Sequence, residues 1–225
     1  MIVGAGQSPG ETVGNGRAVC LLFAREGAAL ACVDRSLEAA EETAALVRAE
    51  GGRAIALAAD ITHEDQIVAA VQAAEKELGR IDVLHNNVGL SIAGGDSEID
   101  TFTEAAFDNV FAINLRGMVM TCKHVLPGMR ARKSGSIVNI SSMAVRDMYP
   151  YVAYKASKAG VVAFTEQLAY QGAPHNIRAK HPAGADGHAH GGRHAGARMG
   201  PTPRRDRGRT ERQGPARRPH GHRLG

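Results

Sequence analysis

The chain has 225 residues, 44% of them hydrophobic, and a formal net charge of +4. That is enough apolar material for one domain with a buried core, and no apolar run approaches the ~20 residues needed to cross a bilayer. Cys20, Cys32 and Cys122 are odd in number, lie in apolar runs and form no Cys-x-x-Cys, which argues against a disulfide framework and fits a reducing cytoplasm.

The chain opens on Ile2-Val3-Gly4-Ala5-Gly6, with no segment resembling a signal peptide. A polar loop follows, and then Gly14-Asn15-Gly16-Arg17-Ala18 leads into the apolar run Val19–Ala24. A strand, a glycine turn and an apolar helix are what a dinucleotide site requires. Glycine lets the backbone approach the pyrophosphate, and the helix start offers it free N–H groups. A plain turn is the competing interpretation. The next apolar run, Ala28–Val33, ends in Asp34, eighteen residues after Gly16. A carboxylate there can accept from both ribose hydroxyls and repels a 2′-phosphate, so NAD is favoured over NADP; Arg35 next to it keeps NADP open. As an alternative, Asp34 is a helix N-cap.

The alternation continues along the chain. Arg53–Ala59 is predicted as a strand ending at Asp60, followed by a helix from about Glu64 to Leu78. Ile81–His85 is a short strand, Thr103–Met129 a long helical stretch, Ser136–Ser141 another strand, and Pro150 to Gln171 a helix. Strands alternating with helices imply βαβ units and an α/β fold with a doubly wound parallel sheet in three layers. Right-handed crossovers place the ligand at the carboxyl ends of the strands, where Gly6, Asp34, Asp60, Asn87 and Ser142 all fall.

In the last helix, Tyr154 and Lys158 are spaced i,i+4 and share a face. A cation beside a phenol favours the phenolate. Moving a tyrosine from ~10 to roughly 7 takes about 3 units, or ~4 kcal/mol, and suits a general acid/base at neutral pH. An ordinary surface pair is the bland alternative, and Tyr151 with Lys155 repeats the spacing as a decoy.

Taken together, the glycine turn, Asp60-Ile61, Asn86-Asn87-Val88-Gly89, Asn114, Ser142, Tyr154 and Lys158 resemble a short-chain dehydrogenase/reductase over residues 2–179. The resemblance implies a Rossmann-type fold and hydride transfer between NAD(H) and a small secondary alcohol or ketone. Tyr154 would exchange the proton of the substrate oxygen, Lys158 would lower the Tyr154 pKa and bond the nicotinamide ribose, and Ser142 would hold the substrate oxygen. Asn114 would anchor a proton-relaying water. The cofactor would lie along Gly6, Gly14, Asn15, Gly16, Asp34, Asp60, Ile61, Asn87 and Gly89, reaching Tyr154 and Lys158. Family members are homodimers or homotetramers, and the long helices around Asn114 and Tyr154 resemble those through which they assemble. No metal, nucleic acid or membrane partner is implied.

Four departures stand out. Seven residues separate Gly6 from Gly14, where the family has three, and Val88 replaces the usual alanine. The first strand, Met1–Val3, is short for a central one. Counting back from Tyr154 by the family spacing gives Ser141, whereas aligning the strand end gives Ser142; loops tolerate deletion better than strands, which selects Ser142.

Residues 180–225 differ in character: no aromatic, one leucine, six of the ten histidines, and eleven Lys/Arg against three Asp/Glu. Their net charge is +8, leaving −4 for residues 1–179. Basic runs could bind nucleic acid, and His188, His190 and His194 could bind a metal. Neither explains why the sixth strand breaks off at Ile177-Arg178-Ala179. A one-base shift does: codons for Lys180–Gly191 can be read from the second base as Asn-Ile-Leu-Pro-Gly-Leu-Met-Asp-Thr-Pro-Met, which resumes an apolar strand and the family's Pro-Gly and Thr-Pro. The expectation is an out-of-frame, disordered tail on residues 180–225, with the family's last strand and substrate-covering segment lost.

Overall fold

The structure, a computed structural model, describes residues 1–7, 10 and 12–184. Its order is β1 (Ile2–Val3), α1 (Asn15–Arg25), β2 (Leu30–Asp34), α2 (Leu37–Ala49), β3 (Ala54–Ala58), α3 (Glu64–Leu78), β4 (Val83–Asn86), α4 (Glu104–Phe111) and α5 (Gly117–Arg132). Then come β5 (Gly135–Asn139), β6 (Ser141–Ser142), α6 (Val152–Gly172), β7 (Ile177–Lys180) and β8 (Ala183–Gly184).

Local chemistry sets the helix limits. Ser36 caps α2 by accepting from Ala39 N at 3.2 Å, and Thr103 caps α4 by accepting from Ala106 N at 3.2 Å. Glu64 and Asp65 lie in the first turn of α3, where the helix dipole favours them, and Gly79 at φ +88° ends it.

Six strands form a parallel sheet in the order β3-β2-β1-β4-β5-β7. Four of the five residues of β2 are buried, as expected where helices cover both faces of a parallel sheet. One core packs Ile2, Leu30 and Cys32 against Cys20 of α1 and Ala44 and Val47 of α2. The other packs Val3, Val33, Leu84 and Ile137 against α3, α5 and Leu168 of α6. The predicted doubly wound, three-layered α/β architecture is what forms. Its strand order reverses between β1 and β4, where the crevice for a ligand opens.

Three elements differ from expectation. The stretch predicted over Thr103–Met129 is interrupted by a π turn at Ala112–Arg116 and runs on to Arg132. Asn114 sits in that turn, which its own side-chain bonds help explain. The predicted strand Ser136–Ser141 divides: Gly135–Asn139 stays in the main sheet, while Ser141–Ser142 pairs with Ala183–Gly184. Ordered pairing also passes the boundary expected at Ala179, since Lys180 closes β7 opposite Val138. The rest of the tail, residues 185–225, lies outside the described residues, and with it the histidine and arginine clusters. No helix among the described residues is long and apolar enough to cross a membrane.

Candidate active site

A cavity of about 340 Å³ opens at the carboxyl ends of β1, β2 and β4, and its walls include all nine residues expected along the cofactor short of Tyr154 and Lys158. Gly6, Gly14, Asn15 and Gly16 come from the glycine loop. A Cβ on Gly16 would run into the carbonyl oxygen of Gly4, so only glycine lets α1 start this close to β1. Gly14 caps α1 with no side chain, and the first turn holds no acid, which leaves the positive helix end available to an anion.

The loop that is longer than the family's is tied by Gln7. Its Oε1 accepts from Gly14 N at 2.7 Å, and its Nε2 donates to Thr12 O at 2.9 Å. Ser8, Pro9 and Glu11 lie outside the described residues. Asp34 Oδ2 accepts from Gly6 N at 3.0 Å and Oδ1 from Ser36 N at 3.2 Å. Asp34 therefore joins the end of β2 to the glycine loop, and the N-cap of α2 is Ser36. Arg35 lines the cavity beside it.

At the next strand ends, Asp60 accepts from Thr62 N at 2.8 Å and Thr62 Oγ1 at 2.7 Å. Partial burial pushes its carboxyl up, but these bonds outweigh it and hold the group below the usual range. Ile61 and Asn87 line the same space. Asn87 donates from its backbone to Val3 O at 2.9 Å and from Nδ2 to Gly4 O at 3.2 Å. Asn86 points elsewhere: it ends β4 and donates to Asn139 Oδ1 at 2.9 Å within the core.

Two of the catalytic candidates, Tyr154 and Lys158, lie on α6. Lys158 is 2% exposed, with Nζ 5.7 Å from the centroid of the Tyr154 ring and donating to Ile140 O at 2.9 Å. A Cβ on Gly89 would lie 2.8 Å from that Nζ, so the ammonium stands directly behind the cavity wall. Asn114, fully buried, accepts from Leu90 N at 2.9 Å and donates to Leu90 O at 2.9 Å and Ser157 Oγ at 3.0 Å. It clamps the loop after β4 onto α6.

Ser141 Oγ donates to Lys158 O at 3.1 Å and is turned into the α6 backbone. Ser142 Oγ accepts from Ala144 N at 3.1 Å, on the other side of the strand. The decoy pair separates: Tyr151 is the N-cap of α6, and Lys155 donates to Asp147 O at 2.6 Å.

Two supporting residues had no sequence signal. Thr43 Oγ1, fully buried, donates to Ala5 O at 2.9 Å and steadies the glycine loop from α2. Asp96, 4% exposed, accepts from Ala153 N at 2.9 Å and from Tyr154 N at 2.8 Å. All three bonds span distant parts of the chain, beyond the reach of any local motif.

Residues 9–184 match the family model for short chain dehydrogenase. The chain is 37% identical over 174 residues to a 2-(R)-hydroxypropyl-CoM dehydrogenase from Xanthobacter autotrophicus, covering 75% of this chain and 68% of that one. Among solved structures, a 7α-hydroxysteroid dehydrogenase complexed with NADH and 7-oxo glycochenodeoxycholic acid aligns with a TM-score of 0.74 at 30% identity, covering 81% of this chain and 68% of that one. An NAD⁺-bound xylitol dehydrogenase aligns at 0.71 and 34% identity, covering 75% and 64%. The matched stretch spans 52% to 68% of the length of three such curated relatives.

Proposed function

This chain belongs to the short-chain dehydrogenase family, and on that premise we propose that it is an oxidoreductase moving hydride between NAD(H) and a secondary alcohol or its ketone. The observation that carries the proposal is buried Lys158, whose Nζ stands behind Gly89 of the glycine-lined cavity and 5.7 Å from the centroid of the Tyr154 ring. Two structural relatives hold NADH or NAD⁺, and a curated relative is named for a secondary-alcohol substrate.

The cavity fits a dinucleotide. The open start of α1 would take the pyrophosphate, Asp34 the adenosine ribose, Asp60 and Ile61 the adenine, and Asn87 and Gly89 the nicotinamide side. A bound nicotinamide dinucleotide supplies the two-electron donor or acceptor that the protein itself lacks. Asp34 favours NAD, while Arg35 beside it would tolerate the 2′-phosphate of NADP, which makes NADP the weaker substrate.

Each remaining residue has its own task. Tyr154 donates its phenolic proton to the ketone oxygen, or removes one from the alcohol. Lys158, a cation in a nearly dry site, would favour the phenolate and would hold the nicotinamide ribose. Ser142 holds the substrate oxygen in line. Asn114 keeps the Gly89–Leu90 wall against α6 and, through the second lone pair of Oδ1, holds a water that relays the proton outward.

The test is to incubate the protein with NAD⁺ or NADP⁺ and a panel of secondary alcohols and to follow the absorbance of the reduced cofactor. Cofactor reduction, faster with NAD⁺, is expected; no binding of either dinucleotide would refute the proposal. A second reading, dinucleotide binding without turnover, is favoured by the end of the family match at residue 184. It would show as saturable NADH binding with no product from any alcohol.

We extend the proposal to the remaining features. An out-of-frame origin for residues 180–225 agrees with a family match that ends within the first five of them, and codons incompatible with the shifted frame would exclude it. Assembly as a dimer or tetramer is proposed from the family resemblance of the long helices around Asn114 and Tyr154. A reduced, cytoplasmic setting agrees with three free, buried cysteines.

A further inference from the structure

We propose that Asp96 is the positioning residue for Tyr154, fixing the first turn of α6 to the same loop that forms the cofactor wall; this rests on the function proposed above. The first turn of a helix leaves its N–H groups without intrahelical partners, and a side chain just before it usually accepts from them. In α6 that local solution is absent, because Tyr151 occupies the N-cap and its side chain makes no cap bond.

The partners come instead from a segment more than fifty residues earlier. Val152 N donates to Ser97 O at 3.3 Å, Ala153 N to Asp96 Oδ1 at 2.9 Å, and Tyr154 N to Asp96 Oδ2 at 2.8 Å. Three successive amides, ending with that of Tyr154 itself, are thus held by two adjacent residues. A carboxylate 4% exposed is costly to bury unless it is well bonded. Asp96 gains a third donor in Ser91 Oγ at 3.1 Å, and Ser91 accepts from Tyr149 OH at 2.9 Å.

The other end of this loop is anchored at the cofactor. Gly89, Leu90 and Ala93 line the cavity, and Asn114 grips both backbone polar atoms of Leu90. One segment, residues 89–97, therefore carries the wall against which a nicotinamide would lie and the carboxylate that sets where the Tyr154 helix begins. The separation between phenol and cofactor is held by Asp96 rather than by α6 packing alone. A displacement of about 1 Å at a reacting group can lower a rate ~100-fold.

The experiment uses the full-length chain carrying Asp96→Ala and, as the nearly isosteric variant, Asp96→Asn. With an alcohol that the wild type oxidises, kcat is expected to fall about 100-fold in Asp96→Ala and about 10-fold in Asp96→Asn, which keeps one acceptor oxygen. NADH affinity, read by its fluorescence, should stay within about 2-fold in both. Hydrogen exchange gives a readout independent of turnover: amides in residues 150–157 should exchange at least ~10-fold faster in Asp96→Ala, with residues 160–172 unchanged. A wild type that binds NADH but oxidises nothing would count against the proposed activity, and the exchange measurement alone would then decide the positioning. Unchanged exchange in residues 150–157, an unchanged kcat in an active enzyme, or loss of NADH binding together with kcat would each overturn the assignment.

Discussion

A buried ammonium one helical turn from a phenol is the smallest unit of this site, and its position is set by neighbours that leave it little room. Lys158 Nζ donates to Ile140 O at 2.9 Å and faces the backbone of Gly89 with no space for a Cβ. A lysine tip is normally free to swing away from a new methyl group. Here the Ile140 bond and near-complete burial prevent it, so Gly89→Ala should displace the cation from Tyr154. The expected result is a fall of about 10-fold in kcat and weaker NADH binding, with little change in the urea midpoint. Steady-state kinetics and NADH titration on the same preparation check it. Unaltered kinetics would mean that the ammonium relocates without consequence.

At the scale of elements, α1 meets β1 so closely that Gly16 abuts the carbonyl of Gly4. Gly16→Ala forces α1 to back away and spoils the opening that its amides offer an anion. Overpacking of this kind costs about 1–3 kcal/mol. A lower urea midpoint and NADH binding weakened by at least ~10-fold are expected, and binding unchanged in the variant would remove the glycine loop from the cofactor account. This element was legible from the sequence because glycines, an apolar helix and an acid at a strand end sit close together and have fixed spacing. The placement of Asp60 and Asn87 on the cavity wall was legible for the same reason, each following an apolar strand. The choice of Ser142 over Ser141 rested on loop deletion; in the structure Ser141 Oγ is turned toward the Lys158 carbonyl. What was not legible is tertiary capping. Asp96 serves a helix 57 residues away and Thr43 serves a loop 38 residues away, so neither leaves a local pattern. The π turn was equally hidden, since Asn114 supports it by bonds to Leu90 and Ser157, which only folding brings near.

For the whole molecule, the central sheet carries a pH sensitivity apart from the active site. His85 on β4 is buried, its Nδ1 has no hydrogen-bond partner, and burial lowers its pKa from 6.5 to about 4. Above pH ~6.5 both folded and unfolded chains hold it neutral, so it contributes no pH dependence. As pH falls from there towards about 4, the unfolded chain takes up the proton first and stability drops, by up to about 3 kcal/mol, levelling off below the folded value. In His85→Leu the urea midpoint should decline less between pH ~6.5 and ~5 than in the wild type; equal slopes would show that His85 is not the group responsible. The account as a whole stands or falls on the phenol. With NAD⁺ and an oxidised secondary alcohol, Tyr154→Phe should keep NADH affinity within about 2-fold while kcat falls about 10³-fold, the loss expected when a positioned general acid/base is removed. A variant that reduces NAD⁺ as fast as the wild type would contradict it.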